Sequence, residues 1–547
     1  MSDCVDLTVF GAMVAVFVAV TLFLGWYGYK NTKDNEGFLL GRSKAGPVII
    51  ALSYGSTFLS ASAVIGFGGQ AAVHGMSMIW LCFLNLFVGL IVAFIVFGGR
   101  TRRKGRELGA ATYADLLGKI YRSKGIRAFT AILIIVMMPI YAAAVLKGGV
   151  NSLATITGLN EYYDLILILL AVIVALYVIY GGIIAVMYND ALQASIMFVG
   201  MLVILVVTYS YFGGVTEGNG ALVSLWDTTF ADYTGSLGVQ DGFNGWTSFS
   251  DFGSAEWLTV VTTFLLGVGI GALTQPQLAV RYMSAKSDRD LNKALLVGSV
   301  FICVIVGSAY TVGALSNVYF YDAYGLTSWQ YLTDLGLGTD FIIPQFVLEL
   351  FSGVTFGDFF VSLFLLSLVC AAISTISALL HTIGAAGGYD LYTLYGNRKG
   401  ILRGDSQNVN LNRVFMAVIM VLMVVYVYVM PSDIIAKATS VFMGVTASAL
   451  LPAYFVALYS MNPSKRAAVV SMVVGTVSYM FMALFINSGT SVFLPVCEML
   501  TGSNVLFPES LIANVDPIVV ALPLSVAAMA IAMVCERARA PAGSGSA

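Results

Sequence analysis

The sequence predicts an all-α membrane protein of about thirteen transmembrane helices, built around two five-helix inverted repeats with flanking helices. Three observations carry that prediction. Of 547 residues, 59% are hydrophobic and only 10% are charged, with a mean hydropathy of +0.89. Soluble proteins carry about 25% charged residues, so a soluble fold would have too little polar surface to cover its core. Apolar runs of about 20 residues recur along the chain, the length that crosses a bilayer as a helix. The basic residues are distributed on alternate sides of those runs, as a multi-pass topology requires.

The spans are read at 5–29, 46–73, 76–98, 128–157, 163–181, 184–213, 256–282, 293–318, 358–394, 412–431, 434–460, 466–487 and 514–535. The first is too long for a signal-peptide core and reads as a retained helix. With the N-terminus outside, the inner segments are 30–45, 99–127, 281–293, 395–413, 460–466 and the C-terminal tail. Of the 27 Lys and Arg residues, 25 fall in those segments or at their edges; Lys147 and Lys437 lie within spans. The loops 214–255 and 319–357 contain no Lys or Arg and carry acids, among them Glu217, Asp227, Asp241, Asp322 and Asp340. The expectation is a multi-pass protein of the cell membrane with its N-terminus outside and its C-terminus cytoplasmic.

No inner segment exceeds about 30 residues and no GxxxxGK[ST] is present, which argues against a nucleotide-driven pump. There is no metal pair, nucleophile–base pair or aspartate dyad of the kind a membrane enzyme would need. The six cysteines form no CxxC and read as small apolar packers. The tail Ala540–Ala547 is low-complexity and reads as disordered. Nucleic acid is not expected as a partner, and the sequence carries no signal of oligomeric state.

Two spans make poor continuous helices. Ser53–Gly69 and Gly267–Gln277 both concentrate glycine and small polar residues at mid-membrane depth, and the second adds Pro276. Glycine weakens a helix and proline removes a donor. Backbone freed at that depth must line a cavity or meet a ligand. The chain therefore divides into an extra helix and loop (1–45), a first five-helix repeat (46–213), a loop (214–255), a second five-helix repeat (256–460), two further helices (461–535) and the tail (536–547). The interrupted helix comes first in each repeat. An odd helix count starts the second repeat from the opposite side, so the repeats are inverted, and paired broken helices point to a transporter site at the midplane. The alternative is that the small residues only permit close helix packing.

In the ninth span, Ser374 and Thr375 set two adjacent hydroxyls in the apolar stretch Cys370–Ala378. A sodium ion needs several oxygens in place of its water shell. An unwound helix frees carbonyls, and hydroxyls on a neighbour complete the set. The competing reading is that each hydroxyl bonds back to its own helix.

Three stretches resemble the sodium:solute symporter family: YGGIIAVMYNDALQ at 180–193, QPQLAVRYMSA at 275–285, and AAIST at 371–375 followed by Asp390-Leu-Tyr392. The resemblance spans roughly residues 5–460. It implies the leucine-transporter fold and a sodium site made by the carbonyls of Ser56, Leu59 and Ala371 with the hydroxyls of Ser374 and Thr375. It also implies a role in sodium release for Asp190, which on its own reads equally as a helix N-terminal acid near the interface. No cofactor is expected beyond sodium as the coupling ion. At the substrate positions the chain departs from the family's branches. Phe58 stands where the proline branch has an acid, and Val268 and Ala272 stand where it has aromatics. The sugar branch's polar contacts are also missing, so neither proline nor a sugar is expected.

Lys147 and Lys437 carry charge inside spans, where charge is costly and usually functional. Lys437 reads as snorkelling to the outer interface. Lys147 lies deeper and is a candidate contact for a solute carboxylate. His74 is expected at an outer helix end, and His381 as a polar packing residue or a proton carrier. The function these features point to is sodium-coupled uptake of a small organic solute, a small carboxylate, by alternating access. Proton-coupled or uncoupled transport on the same fold, and a transporter-like sensor or channel, are the competing readings.

Overall fold

The computed structural model describes residues 6–32, 34–230, 237–352, 354–399, 409–430, 435–492 and 495–539. Of the tail expected to be disordered, 536–547, residues 540–547 lie outside them, while 536–539 instead continue the last helix, Pro517–Arg539. The described chain is a helical bundle whose regular elements are all helices; the one β-type contact is an isolated bridge between Ala45 and Ala285.

Eleven continuous helical stretches among the described residues are long and apolar enough to cross a membrane. Thirteen spans were expected, and the difference lies at two glycines. The stretch Asn160–Tyr211 covers 52 residues, roughly 78 Å at 1.5 Å per residue, against a hydrocarbon core of about 30 Å. It reverses at Gly182, whose φ of 60° and ψ of −157° belong to no helix. A Cβ there would meet the ring and carbonyl of Phe38 at 2.8 and 2.9 Å, so only glycine fits the fold-back. The stretch Ser62–Glu107 likewise turns at Gly75, φ 75°. The Trp246 loop closes over that turn: Met76 donates its N–H to the Trp246 carbonyl at 2.6 Å, and the Trp246 indole donates to the Ala72 carbonyl at 3.0 Å.

The two broken helices run in opposite directions. The first, Pro47–Phe58 and then 62–74, starts near the Ala45–Ala285 bridge and ends at His74 beside Glu256. The second starts at Ala255–Leu258 and ends at Ser284. The end of the bundle holding Arg42, Arg102 and Lys286 is the basic face; the end holding the Trp246 loop and Glu256 is the acidic face. Opposite polarity of matched elements is what an inverted repeat produces.

The break in the first helix falls at Leu59, φ −91° and ψ 82°, after which Ser60 accepts the N–H of Ser62 and the helix restarts. The break in the second falls at Gln275, φ −65° and ψ 118°, with Pro276 as the first residue of the new helix, a position where its missing N–H costs nothing. The Gln275 amide donates to the Gly271 carbonyl at 2.8 Å and to Thr446 Oγ1 at 2.9 Å, satisfying backbone that the break has released.

The helix Gly357–Ala385 is buried without interruption from Phe364 to Ala385. A helix apolar on all sides belongs at the centre of a bundle, and here it lies against the first broken helix. Elsewhere the bundle turns apolar side chains outward. Val414, Val418, Val421 and Val425 form an exposed stripe on one helix, and Phe23, Trp26, Val473 and Val477 are exposed on others. In a lipid environment such a surface is solvated; in water it would be a large association patch.

Candidate ion and solute site

Where the first helix breaks, its last carbonyls meet the hydroxyls of the central helix. Ser374 Oγ lies 3.0 Å from the Ser56 carbonyl and 3.2 Å from that of Ala371. Thr375 Oγ1 lies 3.5 and 3.4 Å from the carbonyls of Ser56 and Thr57. Ser374 and Thr375 are fully buried. The carbonyls of Ser56, Thr57 and Ala371 and the hydroxyls of Ser374 and Thr375 thus converge in one place. Ser374 does bond back within its own helix, but it reaches the broken helix as well, so back-bonding alone does not describe it. Of the five expected ligands, the structure brings Ser56, Ala371, Ser374 and Thr375 together. Leu59 sits at the break, where its ψ of 82° turns its carbonyl off the helical path.

Asp190 is completely buried and one connection away from that cluster. Its Oδ2 accepts from Ser53 Oγ at 2.6 Å and faces Thr57 Oγ1 at 3.4 Å. Its Oδ1 faces Ser377 Oγ at 3.4 Å. Thr57 supplies a carbonyl to the cluster, and Ser377 donates to the Ser374 carbonyl at 2.9 Å. This placement is not that of an interfacial helix-end acid.

The partner of Asp190 is Arg281, at 3.0 Å and equally buried. Arg281 also donates to Ser53 Oγ at 3.2 Å, to the Gln277 carbonyl at 2.9 Å and to Thr57 Oγ1 at 3.0 Å. The charge pattern had put Arg281 at the edge of a basic surface segment; the structure moves it into the core. The reason is the restart at Pro276, which sets Arg281 on the second turn of a short helix packed against the first broken helix. An arginine five residues past a mid-membrane proline was the available signal.

Phe58, Val268 and Ala272 are all buried, and Phe58 and Ala272 meet at Gly89. A Cβ on Gly89 would lie 2.8 Å from the Phe58 ring and 3.4 Å from Ala272 Cβ. Towards the basic face lies an aromatic layer of Tyr54, Phe94 and Tyr282, in which Tyr282 donates to Tyr54 at 3.1 Å and Tyr54 to the Gly89 carbonyl at 2.6 Å. A cavity of about 510 Å³ opens at the acidic face, with Gln70, Thr263, Thr339, Lys437 and Ser440 in its wall. One of about 370 Å³ opens at the basic face, bounded by Asn35, Arg42, Arg106 and Tyr389. Phe58, Val268 and Ala272 line neither.

Lys147 does not join this centre. Its ammonium donates to the carbonyls of Val427, at 3.1 Å, and Met430, at the end of the Val409–Val429 helix. A cation on the last carbonyls of a helix is a cap that also meets the negative end of the helix dipole. That accounts for a lysine at this depth without a solute anion. His74 bonds Glu256 at 2.5 Å and Gln70 at 3.1 Å. His381 donates from Nε2 to the Phe38 carbonyl at 2.9 Å and packs on its ring.

A second buried ionic group at the basic face was not anticipated. Asp390, fully buried, accepts from Arg127 Nε at 2.8 Å and from Thr112 Oγ1 at 2.8 Å. Arg127 also pairs with Asp115 at 3.0 Å, and Lys119 with Asp115 at 2.8 Å. The group ties the short helix Tyr113–Ile120 to the end of the central helix. Thr112, Asp115, Lys119 and Arg127 are near one another in sequence, but Asp390 lies 263 residues beyond Arg127, which hides their joining from any local pattern.

Antiparallel broken helices around an oxygen-rich gap, inside a multi-pass bundle, define a secondary transporter. The model of the sodium:solute symporter family matches residues 38–475, and the chain belongs to that family. It is therefore a transporter that couples sodium to the uptake of a small organic solute, and not an enzyme. The chain is 25% identical over 507 residues to an osmoregulated proline transporter of Bacillus subtilis, covering 92% of this chain and 93% of that one. It is 25% identical over 478 residues to a sodium/proline symporter of Staphylococcus aureus, covering 85% and 83%. Among solved structures, a Na+-coupled sialic acid symporter in a substrate-bound outward-open state superposes with a TM-score of 0.72 at 17% identity, over 96% of this chain and 97% of that one. That likeness establishes the shared leucine-transporter-type fold.

Proposed function

We propose that Ser56, Leu59, Ala371, Ser374 and Thr375 hold the sodium ion that drives uptake, and that Asp190 receives it on the way to the basic face. The observation that carries this reading is the convergence of the Ser56, Thr57 and Ala371 carbonyls with the Ser374 and Thr375 hydroxyls at the break in the first helix. Oxygens gathered in this way can stand in for part of the water shell of a sodium ion. Asp190, linked through Thr57 and Ser377, offers the next negative charge along the path, and Arg281 holds that carboxylate in place.

The solute binds between the two breaks, against Phe58, Val268 and Ala272. The restarting half-helices at 61–63 and 276–278 set their positive dipole ends near that space, which favours a carboxylate. Proline and sialic acid, the solutes named for the relatives, both carry one. We therefore retain a small organic carboxylate as the solute class and assign its recognition to the helix ends rather than to Lys147. The repeats 46–213 and 256–460 rock about the site, and the basic face is cytoplasmic, with the N-terminus outside.

The test is sodium-dependent thermal stabilisation of the purified protein. Sodium should raise Tm in the wild type and fail to do so in Ser374→Ala/Thr375→Ala. A double variant that keeps the full sodium effect would remove the assignment.

A further inference from the structure

The last transmembrane helix begins at a carboxylate for which the transport cycle above has no use. Asp516 is fully buried. Its Oδ1 accepts the N–H of Ile518 at 2.9 Å, an ordinary helix N-cap. Its own N–H donates to Thr262 Oγ1 at 2.9 Å. Capping explains one carboxylate oxygen, and asparagine or serine would cap as well without burying a charge.

The other oxygen is not explained. Asp516 Oδ2 lies 3.1 Å from Ser440 Oγ, and Ser440 Oγ lies 3.3 Å from the Thr263 carbonyl. Ser440 has one hydrogen to give. If it goes to Thr263, the carboxylate faces a lone pair; if it goes to Asp516, the Thr263 carbonyl does. Among the described residues no Lys, Arg or His nitrogen lies within 4.0 Å of Asp516. A buried carboxylate without a positive partner is among the costliest arrangements a fold can hold.

The place is also accessible. Thr263 and Ser440 both stand in the wall of the 510 Å³ cavity at the acidic face, with Asp516 directly behind them. Thr263 lies in a stretch of wide, π-type turns, Thr259–Val268, which loosen the ordinary hydrogen-bond ladder. Gly267 opposes the carboxylate with no side chain; a Cβ there would stand 3.5 Å from Oδ2. Carboxylate, hydroxyl and carbonyl oxygens around a gap reached from an aqueous cavity are the donor set of a small hard cation.

We propose that Asp516 Oδ2, Ser440 Oγ and the Thr263 carbonyl form a second sodium site, loaded from the acidic-face cavity and separate from the cluster at Ser374. It couples the last helix to the second broken helix and to the helix Ile435–Tyr459, three elements that the ion would draw together. Lys437 lies one turn before Ser440 and lines the same cavity; its charge opposes entry of a cation.

The experiment is equilibrium binding of radioactive sodium to the purified full-length protein. The wild type should bind two ions. Asp516→Asn, which keeps the cap, should lose one of them and keep the other. Ser440→Ala should retain the carboxylate but weaken that ion by about tenfold, the scale of one lost polar contact. Ser374→Ala/Thr375→Ala should lose the other ion and leave the Asp516-dependent one, so failure of either site is seen without the other. Lys437→Ala should tighten the Asp516-dependent ion. The proposal is overturned if Asp516→Asn, with unchanged Tm in sodium-free buffer, binds as much sodium as the wild type. It is equally overturned if Lys437→Ala weakens that ion, because removing a nearby positive charge should favour a cation held at Asp516. Should Asp516→Asn fail to fold, unaltered sodium affinity in Ser440→Ala is the overturning result.

Discussion

Arg281 and Asp190 face one another at 3.0 Å with neither side chain exposed to solvent. The pair links the restarted half of the second broken helix to the fold-back that begins at Gly182, and Ser53 and Thr57 of the first broken helix bond to both partners. Both broken helices are thus fastened at one ionic point just beyond the oxygen cluster.

Removing one partner leaves an uncompensated buried charge. Asp190→Ala and Arg281→Ala are each expected to cost about 3–5 kcal/mol of stability. The double variant Asp190→Ala/Arg281→Ala should cost much less than the sum. A double-mutant cycle on unfolding of the purified protein checks this, and additive losses would contradict it.

Gly89 and Phe58 leave no room for a side chain between them. Gly89→Val should abolish uptake while leaving sodium stabilisation in solute-free buffer largely intact. Phe58→Leu should restore part of the uptake in that background by vacating the ring. Transport assays in proteoliposomes read the rescue; its absence would mean that Phe58 does not border the solute path.

Lys147 serves as a helix cap on Val427 and Met430. Lys147→Met is therefore expected to lower stability by about 1 kcal/mol and to leave the KM for solute unchanged. A KM raised tenfold or more with Tm preserved would return Lys147 to the substrate site.

Gly182 holds a backbone conformation open to glycine alone. Gly182→Ala should cost at least about 1–3 kcal/mol of strain, added to the clash with Phe38. The fraction of protein surviving a heat challenge measures it; wild-type survival would show that the fold-back tolerates a side chain.

Much of the fold was legible because lipid imposes simple rules. A span must be about 20 apolar residues long, and its backbone must be satisfied internally. The two places where backbone goes unsatisfied therefore stood out as glycine, serine and proline in otherwise apolar runs. The same logic located Ser374 and Thr375, since polar groups in that setting need a reason. Counting spans worked less cleanly at Gly75 and Gly182, where the chain turns so tightly that helix runs almost into helix.

The sequence by itself determined the membrane class, the paired breaks, the charge asymmetry and the adjacent hydroxyls of Ser374 and Thr375, because each is written in composition or in order along the chain. Tertiary structure alone decided the partners. It paired Arg281 with Asp190 and Asp390 with Arg127, and it set Lys147 on the carbonyls at a helix end. It also brought Asp516, from the last helix, to Ser440 and Thr263. These choices depend on which helices become neighbours. A buried charge is stable only beside whatever the packed bundle brings within about 3 Å of it, and no spacing along the chain records that distance.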